Sequence, residues 1–161
     1  MKETNDQIMR WYLCLQPYSF QVLHRPGPRC SLTFRKGGYS VVFLQETHTD
    51  PTAVDSWRLE WGDGVYFSHF TIRQAGVATL FSPNLRPKVL GVTEAVLGHL
   101  LHLQIRMEGL MVTLVNIYAP AMSLKQPQFY QRVSDFLSTL DSHECLVLGG
   151  DFNTTLEEQD R

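Results

Sequence analysis

The chain has 161 residues, enough for one domain with its own core, and its apolar (43%) and charged (19%) fractions are those of a globular protein rather than a disordered tail or a collagen. Its formal net charge of −2 does not indicate a basic nucleic-acid-binding face over the whole chain, although a local basic patch is compatible with it.

Cys14, Cys30 and Cys145 are too far apart for a CxxC motif, which disfavours a zinc site or disulfide framework and favours reduced, intracellular thiols. The longest apolar runs fall far short of the roughly 20 residues that span a bilayer, so we expect no membrane association.

The first 34 residues carry no sustained hydrophobic period. Short alternations are interrupted by Arg25-Pro26-Gly27-Pro28, a combination that breaks regular structure. We therefore predict that residues 1–34 are a leader outside the main domain, with disorder as one alternative for it, and that residues 35–161 form the domain.

Regular elements follow from residue 37 onward. Residues 39–44 form a short apolar, β-branched run that predicts a strand buried on both faces. Asp50-Pro51 predicts the start of a helix that continues to about Trp61, because Asp caps free amides and Pro is tolerated in the first turn. Residues 65–70 and 77–81 predict two more strands.

The second half of this region predicts a hairpin, a helix and a final strand. Residues 100–107 and 111–118 alternate around a turn at Glu108-Gly109. One apolar stripe then indicates a helix, and its members are Phe129, Val133, Phe136, Leu137 and Leu140. Residues 145–148 form another short buried strand. Hairpin-paired strands with intervening helices indicate an α/β sandwich layered with helices.

Polar residues stand where three of these strands end. Glu46 follows the first strand, Asn116 and Tyr118 close the second arm of the hairpin, and Asp151 and Asn153 follow the last strand. Strand ends are the places where a rigid scaffold presents side chains to a cleft.

These residue types suit phosphoryl chemistry with a divalent metal. Glu46 and Asp151 offer the hard oxygen ligands that Mg²⁺ prefers, and a bound Mg²⁺ polarises a phosphoryl oxygen and activates water. Asp151 has a second role open to it, the orientation or deprotonation of the attacking water, while Asn153 and Tyr118 are donors to a phosphate. Taken singly, each residue also has a purely structural explanation as a cap, a turn residue or a core aromatic.

Four segments in order carry a family resemblance. They are Leu44-Gln45-Glu46-Thr47-His48, Ala75-Gly76-Val77-Ala78-Thr79-Leu80-Phe81, Val115-Asn116-Ile117-Tyr118-Ala119-Pro120 and Gly149-Gly150-Asp151-Phe152-Asn153. Together they resemble the apurinic-type endonucleases of the endonuclease/exonuclease/phosphatase superfamily. The nearest resemblance is to the endonuclease domain of vertebrate non-LTR (LINE-type) retrotransposons, and it covers about Lys36 to Arg161.

The resemblance implies a fold, a metal, a substrate and site roles. The fold is a four-layered, DNase I-like α/β sandwich with Mg²⁺, or alternatively Mn²⁺, in a cleft between two sheets, acting on DNA in the nucleus. Glu46 is similar to the metal-binding glutamate and Tyr118 to the active-site tyrosine. Asp151 is similar to the catalytic aspartate, and Asn153 to the phosphate-contacting asparagine; both are candidate metal ligands as well.

Three further residues are candidates for contact with the DNA. Asn116 matches a strand position of the family, and His48 and His69 are placed where they could approach the DNA. For the two histidines the alternative is that they are merely exposed or cap a turn.

The match departs from the family at both ends. The family's N-terminal Asn-x-Asn-Gly-like stretch has no counterpart in residues 1–37, and its C-terminal Asp-His pair has none after Asp151. We therefore expect a monomeric domain that is incomplete at both ends and has impaired activity as a DNA endonuclease or exonuclease, because catalytic groups that act as a unit lose most of the rate when one is missing. The alternatives are a non-catalytic remnant and a phosphatase acting on inositol phosphates or phospholipid head groups.

Overall fold

The computed structural model of the chain describes residues 39–141 and 145–153, which form two β-sheets with a helix on each outer side. The first sheet is antiparallel with strand order β1-β3-β2, and its strands are β1 Val41–Gln45, β2 Val65–Ser68 and β3 Val77–Phe81. The second has the order β4-β5-β6-β7, and its strands are β4 Lys88–Val96, β5 Leu100–Met107, β6 Leu110–Tyr118 and β7 Cys145–Asp151.

Two α-helices, each preceded by a short 3-10 turn, cover the sheets. Helix α1 spans Val54–Trp61 after the turn Pro51–Ala53, and helix α2 spans Gln126–Ser138 after the turn Ser123–Lys125. Within the described residues, no helix combines the length and the apolar character that crossing a membrane requires.

Three apolar clusters separate four layers. The cluster between the sheets combines residues of β3, β5 and β6: Val77, Phe81, Leu101, Leu103, Ile105, Val112 and Leu114. Trp61 of α1 packs on the outer face of the first sheet with Val42 and Leu80. Phe129 and Val133 of α2 pack on the outer face of the second sheet with Val115 and Ile117. The order helix, sheet, sheet, helix confirms the predicted four-layered α/β sandwich.

Several sequence predictions are confirmed in detail. Strand 77–81 has the predicted bounds, and all five of its residues are buried because both faces of its sheet are covered. The hairpin turns at Glu108 and Gly109, which both have positive φ, 49° and 86°. The Asp50 side chain caps the following 3-10 turn by accepting a hydrogen bond of 2.8 Å from the backbone N–H of Thr52.

Strand β4 was not predicted from the sequence. It is an edge strand whose pairing with β5 shifts register twice, between Val89 and Gly91 and between Glu94 and Val96. Each shift breaks the period-two alternation that reveals a strand, and Val92 is 49% exposed on the outer edge. The predicted strand 65–70 is also shorter, ending at Ser68. The predicted leader, residues 1–34, lies outside the described residues.

The two sheets are joined by the buried amide of Asn116. Its Oδ1 accepts a hydrogen bond of 2.8 Å from Nε2 of Gln45 on β1. Its Nδ2 donates to the carbonyl of Leu44 at 3.2 Å and to the carbonyl of Ala78 on β3 at 2.9 Å. The side chain is 0% exposed, so this arrangement satisfies polar groups that water does not reach.

Two glycines let β7 approach both neighbouring strands. A Cβ on Gly149 would lie 3.0 Å from the Phe43 ring of β1. Gly150 has φ +143°, and a Cβ there would lie 1.9 Å from the carbonyl oxygen of Ile117. Glycine at both positions is therefore what allows Asp151 to reach its register position opposite Tyr118.

We predict that Gly150→Ala lowers the free energy of unfolding by more than about 2 kcal/mol, because the new methyl group overlaps the Ile117 carbonyl. Gly109→Ala is the matched control: Gly109 also has positive φ, 86°, but nothing lies within 4 Å of its Cβ position. The control should cost only about 1 kcal/mol from backbone strain. Urea denaturation measures both, and equal costs would contradict the steric explanation.

We also predict that Asn116→Ala destabilises the domain by about 2–4 kcal/mol, because it leaves the Gln45 amide and two buried carbonyls without their partner. Asn84→Ala, in an exposed turn, should change stability by less than about 0.5 kcal/mol. Thermal and urea unfolding provide the measurement. A loss at Asn116 no larger than at Asn84 would show that the amide does not join the sheets.

Candidate active site

The carboxyl ends of three strands meet at one edge of the sandwich. Strands β6 and β7 are parallel, and Tyr118 is the register partner of Asp151 at their ends. Strand β1 reaches the same edge from the other sheet, and the hydroxyl of Tyr118 donates a hydrogen bond to Oε1 of Glu46. The structure therefore brings together three residues that the sequence places far apart.

Glu46 lies in an unusual backbone conformation. Its φ is +52°, in the left-handed region that non-glycine residues rarely adopt. Immediately after it, the backbone N–H groups of Thr47 and His48 donate to the carbonyls of Gly76 and Ala75, both at 3.1 Å. These bonds hold the turned backbone and aim the exposed carboxylate of Glu46 toward Tyr118.

The loop after β7 is fixed by its own hydrogen bonds. The backbone N–H of Asn153 donates to Oδ1 of Asp151 at 2.9 Å, and Nδ2 of Asn153 donates to the carbonyl of Ala119 at 2.6 Å. Nε2 of Gln126, at the start of α2, donates to the carbonyls of Asn153 at 2.8 Å and Pro120 at 3.0 Å. Asp151 and Asn153 are thus held on a rigid frame beside the end of β6.

The hydroxyl of Tyr118 is held in its protonated form. The pKa of this phenol is raised to about 12, first by burial, then by the Glu46 carboxylate that accepts its hydrogen bond and by the charge of Asp151, while the Asn153 amide offsets part of the effect. At neutral pH the group is therefore a hydrogen-bond donor and not a phenolate.

His99 is a neighbour of the site that the sequence analysis missed. Its ring is parallel to that of Tyr118, with a centroid distance of 5.5 Å and an interplanar angle of 2°. Its Nδ1 lies 2.6 Å from the Tyr118 carbonyl, which can only accept, so Nδ1 carries the proton. His99 lies in the turn between β4 and β5, and a polar residue in that turn would have been a candidate if the hairpin had been predicted. The hairpin was not predicted because β4 was not recognised.

The remaining predicted substrate residues occupy different places. His48 is exposed at the end of β1, and Nδ1 of His69, which follows β2, lies 3.0 Å from Oγ1 of Thr49 while its ring stacks on Phe67. Both histidines lie at the same edge as Glu46, because β1 and β2 run in the same direction beside β3. Asn116 is buried between the sheets, and this placement does not favour the predicted contact with substrate.

The donor set at this edge fits a hard divalent cation. Glu46 and Asp151 both act electrostatically on the Tyr118 hydroxyl, and both carboxylates are exposed. Among the described residues, no group of three or more His, Cys, Asp or Glu side chains could hold a metal ion. Two carboxylates and the amide oxygen of Asn153 are oxygen donors of the kind that Mg²⁺ prefers, and a set of three would leave coordination positions to water and phosphate.

We predict that Tyr118 ionises near pH 12 and that Glu46→Gln moves its pKa down toward the ordinary value of 10.0. The glutamine removes the negative charge and the strong acceptor that both favour the neutral phenol, whereas burial remains. The measurement is the phenolate absorbance of each protein minus that of its Tyr118→Phe counterpart, with circular dichroism to verify folding at each pH. Glu108→Gln, at the opposite edge, should leave the pKa of Tyr118 unchanged. If Glu46→Gln also left this pKa unchanged, the coupling between Glu46 and Tyr118 would be excluded.

Comparison with known proteins gives the family. Residues 20–161 match the Endonuclease/Exonuclease/phosphatase family. Over 149 residues the chain is 45% identical to the "Transposon TX1 uncharacterized 149 kDa protein" of Xenopus laevis. That match covers 92% of this chain and 11% of the transposon protein, so the chain spans about a tenth of the relative's length.

Solved structures share the fold. An AP endonuclease from Archaeoglobus fulgidus aligns with a TM-score of 0.61 and 23% identity, over 82% of this chain and 54% of that one. TDP2 from D. rerio, complexed with a single-strand DNA product, aligns with a TM-score of 0.56 and 18% identity, over 78% of this chain and 52% of that one. The solved structures show the shared fold, and the family model over residues 20–161 shows that the chain belongs to the endonuclease/exonuclease/phosphatase family.

Proposed function

We propose that this chain carries the active centre of a Mg²⁺-dependent phosphodiesterase that hydrolyses DNA backbone bonds, as an endonuclease or an exonuclease. The observation that carries the proposal is the convergence of Glu46, Tyr118 and Asp151 at one edge, with the Tyr118 hydroxyl donating to Glu46. An exposed cluster of two carboxylates and a protonated phenol suits a phosphate group that arrives with a metal ion.

Each residue has a role that follows from its chemistry. Glu46, Asp151 and the amide oxygen of Asn153 would hold Mg²⁺, or Mn²⁺ in its place, and the ion would supply Lewis-acid polarisation of the phosphate. The Tyr118 hydroxyl, protonated up to about pH 12, would turn its single hydrogen from Glu46 to a phosphate oxygen when the substrate and the metal bind. Asp151 orients the attacking water and accepts its proton at a carboxylate oxygen.

DNA is the substrate that the relatives support. The curated relative is a transposon protein, and the solved structures with this fold include an AP endonuclease and TDP2 bound to a DNA product. A nuclear site of action belongs to the same proposal, because a transposon of an animal cell inserts into chromosomal DNA.

We predict that the purified chain nicks supercoiled plasmid when Mg²⁺ is present and that chelation stops the reaction. Glu46→Gln and Asp151→Asn should each reduce the rate by roughly 100-fold or more, since each removes a metal ligand and a charge that acts in the transition state. Glu108→Gln and Asp63→Asn, both exposed at the opposite edge of the sandwich, are the matched controls and should keep the full rate.

The other functions give different outcomes in the same experiment. Nicking that survives both site substitutions would mean that this edge is not the active centre. Release of phosphate from inositol phosphates, with no nicking, would identify a phosphatase. Absence of both activities in a chain that unfolds cooperatively would identify a non-catalytic remnant.

A further inference from the structure

An open pocket of about 220 Å³ lies beside the candidate active centre, between β4, the end of β6 and the start of α2. One wall is apolar and is formed by Val96, Pro120 and Phe129. None of the sequence motifs accounts for this pocket. It opens at the same edge as Tyr118, because the β4–β5 turn and the end of β6 are paired neighbours.

Polar side chains of one helical face form the other wall. Lys125, Gln128 and Arg132 line the pocket. Their spacing of i, i+3 and i+7 places them on one side of α2 and the turn before it. Both cations are exposed, and no acidic residue is among the described residues that line the pocket. The pocket therefore combines an apolar surface with a local positive charge, although the whole chain has a net charge of −2.

His99 connects this pocket to the candidate active centre. Its ring lines the pocket, lies parallel to Tyr118 at 5.5 Å and packs edge-on against Phe129 at 5.9 Å. A strand of nucleic acid bound beside Tyr118 would therefore have His99, and with it the pocket, as its next neighbour. A sugar or base suits the apolar wall with its aromatic ring, and a phosphate suits Lys125 and Arg132.

We propose that this pocket is a substrate subsite that binds a nucleotide flanking the scissile phosphate, with the phosphate of that nucleotide held by Lys125 and Arg132. The inference rests on the proposed function, because it takes the substrate to be DNA. It adds a binding site that is separate from the metal ligands and does not take part in bond cleavage.

The first test measures binding without turnover. A fluorescent DNA duplex is titrated with the full chain in EDTA, so that no strand is cut, at several salt concentrations. The double variant Lys125→Gln/Arg132→Gln should bind about tenfold more weakly and lose about one unit of the slope of log Kd against log salt, as expected for one lost phosphate contact. Equal thermal unfolding midpoints verify that the variant is folded.

The matched control is Lys88→Gln/Arg106→Gln, which removes the same two residue types. Lys88 and Arg106 are register partners on β4 and β5, are exposed, and lie at the far end of the sandwich. This control should keep the original affinity and salt slope. An equal loss of affinity in both double variants would show that DNA binding depends on the overall charge of the protein, and it would overturn the subsite.

The second test locates the contact on the DNA. Single phosphates are replaced, one at a time, by neutral methylphosphonates along a duplex just long enough to bind one chain, so that the scan does not depend on cleavage. The unaltered chain should lose about tenfold in affinity at one flanking phosphate. The Lys125→Gln/Arg132→Gln variant should lose nothing more at that phosphate, because the contact is already absent. If the losses of affinity caused by the methylphosphonate and by the Lys125→Gln/Arg132→Gln variant were simply additive, the assignment of this phosphate to the pocket would be overturned.

Failure of the subsite and failure of the proposed function are distinguishable. A chain that does not nick DNA but shows the position-specific methylphosphonate effect retains the subsite and loses the proposed activity. A chain that nicks DNA with Mg²⁺, while Lys125→Gln/Arg132→Gln behaves like the Lys88→Gln/Arg106→Gln control, retains the activity and loses the subsite.

Discussion

The hydrogen bonds of the Asn116 amide are the interaction on which the arrangement of the site depends. They connect β6 to β1 and β3 across a largely apolar layer, where an unpaired polar group would be costly. Apolar packing alone would allow the sheets to slide, whereas an amide with three directed partners fixes one relative position. Glu46 follows Gln45 directly and Tyr118 lies two residues beyond Asn116, so this joint sets where their side chains meet.

The electrostatics of the edge follow from that position. Glu46 and Asp151 place two negative charges around a phenol that burial already keeps protonated. A phosphate diester would add a third negative charge, and the divalent ion of the proposed function would offset this repulsion. Lys125 and Arg132, which line the pocket together with His99, would contact a neighbouring part of the proposed substrate.

Much of the fold was predictable, because strand ends, caps and apolar stripes are local signals. Strand β4 was not, since its two register shifts erase the alternation by which strands are recognised. Nor was the opposition of Tyr118 and Asp151 derivable from pattern alone, because the pairing of β6 with β7 is set in three dimensions after a long crossover through α2. Asn116 and Tyr118 lie on the same face of β6, two residues or about 7 Å apart along the strand. Tyr118 lies at the edge of the sandwich, whereas Asn116 is buried, and the sequence pattern does not distinguish these two positions.

The glycine pair in β7 has a consequence for how the length of this chain can vary. The crossover between β6 and β7 begins with the exposed residues 121–124, so insertions or deletions there leave the strand register and the buried face of α2 in place. Within β7 the situation is the reverse. A shift by one residue would bring a side chain either against the Ile117 carbonyl or against the Phe43 ring, depending on its direction. It would also turn Asp151 to the opposite face of its sheet, away from Glu46 and toward α2. In related chains, we therefore expect length differences at residues 121–124, whereas the seven residues from Cys145 to Asp151 should have a fixed count.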